Sequence, residues 1–177
     1  TEMGGIRFED NGDVTIITGT LDYGQGHAVA FAQVLHSSLG IPFERIKLLQ
    51  GDSDELITGG GTGGSKSIMA SGGAIIEAAT EVIKKAKTVA SYFFETSEED
   101  IEFKNGYLLV AGTDKSISLI ELSDNLKKGF DRSDGIPDTL DVKLDHGGVP
   151  SAFPNGCHIC EVEIDPETGS VKIDRYN

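Results

Sequence analysis

The stretch GTLDYGQGHAVAFAQVL, residues 19 to 35, places Gly-Gln-Gly-His directly before apolar residues at helical spacing. A helix start needs no such sequence, since one Ser, Thr, Asp or Asn caps it adequately. Glycines on both sides of Gln25 instead let the backbone bend sharply and let another group come close. Helix N-termini also offer unpaired N–H groups and the positive end of a dipole, which suits anions. Gly24 to His27 is therefore a candidate binding turn. From Gln25 to about Leu39, the apolar set Ala28, Phe31, Ala32, Leu35 and Leu39 predicts a helix. Gly40 ends it, with Pro42 shortly beyond.

Strand signals lie on both sides. GGIRFEDNGDVTIITGT reads as two β runs turned at Asp10-Asn11-Gly12, and RIKLLQ as a short strand. IEFKNGYLLV is a second hairpin, turned at Asn105-Gly106, and SISLIELSDNLKKG a strand end with a short helix stopped by Gly129. SIMASGGAIIEAATEVIKKAKTVASYFF predicts a long helix whose early small residues, Ala70, Gly72, Gly73 and Ala74, invite close packing on a neighbouring backbone. Residues 130 to 155 read as an irregular excursion around one strand, LDVKL, and CHICEVEIDPETGSVKIDRYN as a closing hairpin. The expected fold class is α+β, a mixed sheet with hairpins packed on two or three helices. Residues 1–177 read as one domain, and both ends look cut, as in an excised part of a larger subunit.

Composition narrows the function classes. The 177 residues carry 29 acidic and 15 basic side chains, a net charge of −14. Such a field repels nucleic acid, and no Lys/Arg stripe overrides it. Hydrophobic content of 38% and a mean hydropathy of −0.15 describe a soluble chain with no membrane span, expected in the cytoplasm. Glycine is the anomaly. There are 23, about twice the usual share of roughly 7%, and eight fall between Gly51 and Gly73.

Most of those lie in the loop GGGTGGSKS, Gly59 to Ser67. A Walker A loop would need glycine directly before the lysine, where Ser65 stands, and a strand ending later than RIKLLQ does. What survives is Gly-rich backbone feeding a helix start, with the Thr62, Ser65 and Ser67 hydroxyls, which is an anion cradle. Calcium at Asp10, Asn11 and Asp13 lacks room for its remaining ligands. Cys157 and Cys160 form a C-x-x-C, but zinc would need two more ligands, with only His146 and His158 nearby. On a strand, residues three apart face opposite ways, so ordinary strand cysteines are the favoured reading and no metal ligand is assigned.

The stretch from GTLDYGQGH through AQVLHSSLGIPFERIKLLQGDSDELITGGGTGGSKS resembles the molybdenum-cofactor-binding region of the molybdenum hydroxylases. These are the large subunits of xanthine dehydrogenase, aldehyde oxidase and carbon monoxide dehydrogenase. FPNGCHICEVEIDPETGSVKIDRY resembles a later hairpin of the same family, and residues 98 to 150 are least distinctive. The resemblance implies a molybdopterin cofactor with molybdenum, in a dinucleotide form. It matches Gln25, within Gly24-Gln25-Gly26, to a glutamine whose amide donates to an oxo ligand of the metal. It matches Gly26 and His27 to backbone positions meeting the cofactor, and Gly61, Thr62, Gly64, Ser65, Lys66 and Ser67 to the loop around its phosphate and nucleotide side. Lys66 stands where arginine is common, so a bidentate contact becomes a point-charge one.

The family's reaction is oxidative hydroxylation of an aldehyde, purine or other N-heterocycle with water as oxygen source. Its general base is a glutamate in a Gly-Glu-Pro type segment that this stretch does not contain. Implied partners are the remainder of the large subunit, the small-molecule substrate, and iron–sulfur and flavin domains or subunits that carry electrons onward. The 177-residue chain alone is expected to be inactive and to hold no molybdenum. Two rival readings are a phosphate- or nucleotide-binding module built on loop 59–67, and a non-catalytic interaction domain.

Overall fold

The computed structural model describes residues 1–129, 135–147, 152–153 and 155–177. Strand β1 (Glu2–Phe8) pairs antiparallel with β2 (Val14–Thr18), in the register Ile6 opposite Ile16 and Phe8 opposite Val14. The intervening turn closes through Glu9 and Asp13, as the Asn-Gly signal predicts. β3 (Ile46–Gln50) then lies parallel to β2, with Val14 opposite Ile46 and Thr18 opposite Gln50. Parallel neighbours need a crossover, and helix α1 (His27–Leu39) supplies it. β7 (Val142–His146) completes a mixed sheet in the order β3-β2-β1-β7.

Helix α2 (Ser67–Phe93) packs along this sheet and against α1. Its buried stripe is mostly alanine, from Ala70 and Ala74 through Ala78, Ala79, Ala86 and Ala90. Small side chains let the helix sit close to the sheet. A Cβ on Gly4 of β1 would lie 2.3 Å from the carbonyl oxygen of Ala74, so the small residues at the helix start do meet a backbone. Phe31, Leu35 and Leu39 of α1 join Ile6, Phe8, Val14 and Ile16 in one buried cluster. On the far side of β1 and β2, Met3 and Ile17 are also buried. Segment 51–60 crosses near them: Ile57 N–H points at Met3 Sδ (3.5 Å), and Glu55 pairs with Arg7 (2.7 Å) and Lys143 (2.9 Å).

A second sheet, β4 (Ile101–Lys104), β5 (Tyr107–Val110) and β6 (Ser116–Ser118), is antiparallel and leads into α3 (Leu119–Lys127). Its Asn105-Gly106 turn has positive φ at both residues, 49° and 85°, as a two-residue hairpin loop requires. Of the excursion predicted for 130 to 155, the LDVKL strand is β7, while residues 130–134, 148–151 and 154 lie outside the described residues. The fold is thus mixed α+β, as expected. Among the described residues no helix is long and apolar enough to cross a membrane.

The closing hairpin is β8 (Cys160–Ile164) with β9 (Val171–Tyr176), a two-stranded sheet by itself. Its register sets Val162 opposite Ile173 and Ile164 opposite Val171, giving one apolar face, with Glu163 opposite Lys172 on the other. Both faces are exposed. The reading of CHICEVEI as one strand needs correction. Only Cys160 is in β8; Cys157 precedes it, and both thiols are free and exposed. Among the described residues no three His, Cys, Asp or Glu side chains gather as metal ligands.

Candidate functional site

Parallel strands β2 and β3 point the same way, so the segments that follow them leave from one end of the sheet. Segment 19–26 runs from Thr18 to α1, and segment 51–66 from Gln50 to α2. The ends of parallel strands are where α/β sheets place their ligands. Here the two segments are joined. Thr62 Oγ1 accepts from Leu21 N–H (2.8 Å) and donates to Leu21 C=O (2.7 Å). The backbones of Gly19 and Gly59 come so close that a Cβ on Gly19 would lie 2.4 Å from Gly59 Cα. Beneath them the buried carboxylate of Glu2 accepts from Gly19 N–H (2.7 Å) and Gly60 N–H (3.5 Å).

The helix mouths differ. At α1 the helix begins at His27 rather than Gln25, because Gly26 is left-handed (φ 76°). The Asp22 carboxylate occupies the anion seat there, accepting from Gly24 (2.8 Å), Gly26 (3.3 Å) and His27 (2.8 Å) N–H groups. These bonds, Gly24's foremost and then those of His27 and Gly26, hold the Asp22 carboxyl below its ordinary range. The expected anion site at this helix is therefore filled by the protein itself. At α2 no side chain among the described residues caps the first turn. Its N–H groups stay available, and the approach to it turns through positive φ at Gly61, Gly64 and Ser65.

Between the mouths lies a cavity of about 320 Å³, lined by Gln25, His27, Ala30, Phe31, Thr62, Gly63, Ser65, Ser67 and Ile68. That is the low end of the range for small-molecule sites. Of the predicted residues, Gln25, His27, Thr62, Ser65 and Ser67 line it. Gly24, Gly26, Gly61 and Gly64 shape the turns that bring them there. Lys66 folds back, donating from Nζ to Gly60 C=O (3.1 Å). The Gln25 amide is engaged with its own loop: Oε1 accepts from Tyr23 N–H (2.5 Å) and Nε2 donates to Leu21 C=O (3.2 Å).

His27 departs most from expectation. An exposed histidine at a helix start would be unremarkable, but His27 is only 3% exposed and stacks on Phe31 (centroids 4.7 Å apart). It takes the first place in the buried stripe of α1, ahead of Phe31 and Leu35, while Ala28 faces solvent. His27 Nε2 is buried and, among the described residues, has no hydrogen-bond partner. It is an orphaned polar atom on a residue that lines the cavity, and an orphan of that kind calls for a partner from outside the described residues. Together with the uncapped α2 start and the hydroxyls of Thr62, Ser65 and Ser67, it gives a donor-rich wall over an apolar floor of Phe31, Ala30 and Ile68. Such a wall fits a flat, oxygen-rich, anionic cofactor.

The sequence reading missed Asp22, Glu2 and Gln50. Asp22 had a visible signal, an acidic residue just ahead of a helix. Glu2 and Gln50 had none, because their partners are distant in sequence.

Residues 1–177 match the family model described as molybdopterin cofactor-binding domain. The nicotine 6-hydroxylase large subunit of Paenarthrobacter nicotinovorans is 34% identical over 174 residues, covering 96% of this chain and 21% of that subunit. Among solved structures, the reconstituted CO dehydrogenase from Oligotropha carboxidovorans superposes with a TM-score of 0.78 at 29% identity, over 99% of this chain and 22% of that one. Quinoline 2-oxidoreductase from Pseudomonas putida 86 gives a TM-score of 0.74 at 27% identity, with the same coverage. The chain thus spans about a fifth of the length of the relatives it matches.

Proposed function

Because the chain belongs to the molybdopterin cofactor-binding domain family, we propose that segments 24–27 and 61–67 form one wall of a molybdenum-cofactor site in the large subunit of a molybdenum hydroxylase. The observation that carries this reading is the convergence of both segments on one cavity at the ends of β2 and β3. When bound, the cofactor supplies the redox centre of an oxidative hydroxylation of a small molecule. This chain's residues bind and orient it.

In this reading the backbone N–H groups at the start of α2 and the Thr62, Ser65 and Ser67 hydroxyls hold the phosphate side of a dinucleotide form. Lys66 adds a positive charge there once it exchanges Gly60 C=O for a phosphate oxygen. Gln25 offers its amide N–H to the metal end of the cofactor, adding no charge and no metal ligand. Its bond to Leu21 C=O is long and exposed, so giving it up costs little. Gly24 and Gly26 set the turn, and His27 closes the wall. The remainder of the subunit supplies the other walls and the general base, and iron–sulfur and flavin domains or subunits take the electrons onward. The nucleotide-module alternative uses only loop 59–67, whereas Thr62 of that loop is bonded to Leu21, in the segment that leads into the Gly24–His27 turn.

Gly64→Val and Ser65→Pro test the assignment. Gly64 sits at φ 62° and Ser65 at φ 54°, which valine resists and proline cannot adopt. Molybdenum and pterin content of the purified complete subunit should fall in both variants while it stays folded. Full occupancy in both would overturn the role given to this loop.

A further inference from the structure

Gln50, the last residue of β3, lies outside both cofactor segments and yet touches the site. Its Nε2 lies 3.0 Å from Thr18 Oγ1, 3.0 Å from Thr20 Oγ1 and 3.3 Å from His27 Nδ1. Thr18 and Thr20 are bonded to each other (3.1 Å), and Thr20 to Ser71 of α2 (3.1 Å). The two threonines and Ser71 are buried. One polar network thus links β2, β3, α1 and α2 and ends on His27, which lines the cavity.

An amide Nε2 carries two hydrogens and no lone pair to accept with, so a proton on His27 Nδ1 would face it with nothing to bond; Nδ1 is the acceptor in this pair, sharing the two amide hydrogens with Thr18 and Thr20. A neutral imidazole accepting at Nδ1 carries its proton on Nε2. That nitrogen is the one left buried and without a partner among the described residues, on a residue that lines the cavity. We propose that Gln50 is a positioning residue: it fixes His27 in the Nε2–H tautomer, so that the ring offers a donor to an acceptor atom of the bound cofactor. The inference rests on the cofactor reading above and adds the two residues that shape one of its contacts. A side-chain donor set by a second layer behaves like a metal-ligating histidine oriented by its outer partner, whose loss typically costs about 10–100-fold in affinity.

The test has two parts. The first uses ¹⁵N chemical shifts of the His27 ring in the 177-residue chain, which distinguish a protonated from a bare nitrogen without any cofactor. The wild type should show Nδ1 bare and Nε2 protonated. Gln50→Glu, whose carboxylate only accepts, should move a proton onto Nδ1; Gln50→Leu should leave a mixture of tautomers. Nδ1 protonated in the wild type, or bare in Gln50→Glu, overturns the proposal.

The second part measures cofactor retention in the complete subunit, as molybdenum and pterin content during dilution. Gln50→Glu and His27→Phe should each release cofactor roughly tenfold faster than wild type. Wild-type retention in both, with release from Gly64→Val, overturns the inference and leaves the cofactor reading standing. Wild-type retention in all three variants overturns the cofactor reading itself.

Discussion

Gly19→Ala adds one methyl group at the tightest joint between the two site segments. Its Cβ would lie 2.4 Å from Gly59 Cα, 2.7 Å from Glu2 Oε1 and 2.9 Å from Thr58 C=O. Ordinary carbon contacts are about 3.5–4.0 Å, so the two backbones must part by more than 1 Å. Neither is free to move: Thr62 pins one to Leu21 on one side, and Glu2 ties Gly19 to Gly60 on the other. Overpacking of this kind costs about 1–3 kcal/mol. Loss of the Gly19 N–H bond to a buried carboxylate costs about 1.5–3 kcal/mol more. We therefore expect a destabilisation of about 3 kcal/mol or more. At an m-value of about 2 kcal/mol/M, the urea midpoint falls by about 1.5 M with unchanged slope. Gly63→Ala is the control, because Gly63 has open space around it; its effect should stay within about 0.5 kcal/mol. Equal midpoints for wild type and Gly19→Ala, or equal losses in both variants, would refute the joint as the element that registers the two segments.

Three further outcomes follow from other parts of the structure. Phe31→Ala removes the buried ring under His27 and should cost about 3–5 kcal/mol in the same urea assay; a loss under 1 kcal/mol would mean that the cavity floor is not packed. The Asp22 carboxyl lies below its ordinary range in the folded chain, so the unfolded chain takes up the proton first as pH falls. Its contribution is present above about pH 4 and is lost as pH drops through the lower folded value. The Gly24, Gly26 and His27 amide shifts should follow that titration and lose it in Asp22→Asn; flat shifts in the wild type would contradict the cap. Finally, β8–β9 is an exposed two-stranded hairpin, a marginal unit in water, so its amides should exchange with solvent far faster than those of β1–β2 in the 177-residue chain; equal protection would show that another surface covers it.

Elements whose signals are local were legible in the sequence. The hairpin turns at Asn11-Gly12 and Asn105-Gly106, the stop of α1 at Gly40 and the whole of α2 follow from glycine geometry and helical period. The pairing of the two glycine-rich segments was visible only as two separate helix mouths. What joins them, the Thr62–Leu21 bonds and the Gly19–Gly59 contact, depends on β2 and β3 lying parallel, and no local pattern encodes a partner strand. Histidine at position 27 was legible as a helix-start residue of a binding turn, matched to the cofactor through its backbone, but not as a buried side chain. Its burial follows from its place four residues ahead of Phe31 and eight ahead of Leu35, on the buried face of α1. The closing hairpin was legible as alternating residues, although the same alternation said nothing about what its apolar face meets.

The central claim is that residues 24–27 and 61–67 together face a bound molybdenum cofactor. A crystal structure of the complete, cofactor-loaded subunit tests it most directly. We expect cofactor phosphate oxygens within about 3.2 Å of the N–H groups or hydroxyls of Thr62, Ser65 or Ser67, and the metal end of the cofactor beside Gln25. A loaded cofactor that contacts neither segment would contradict the account.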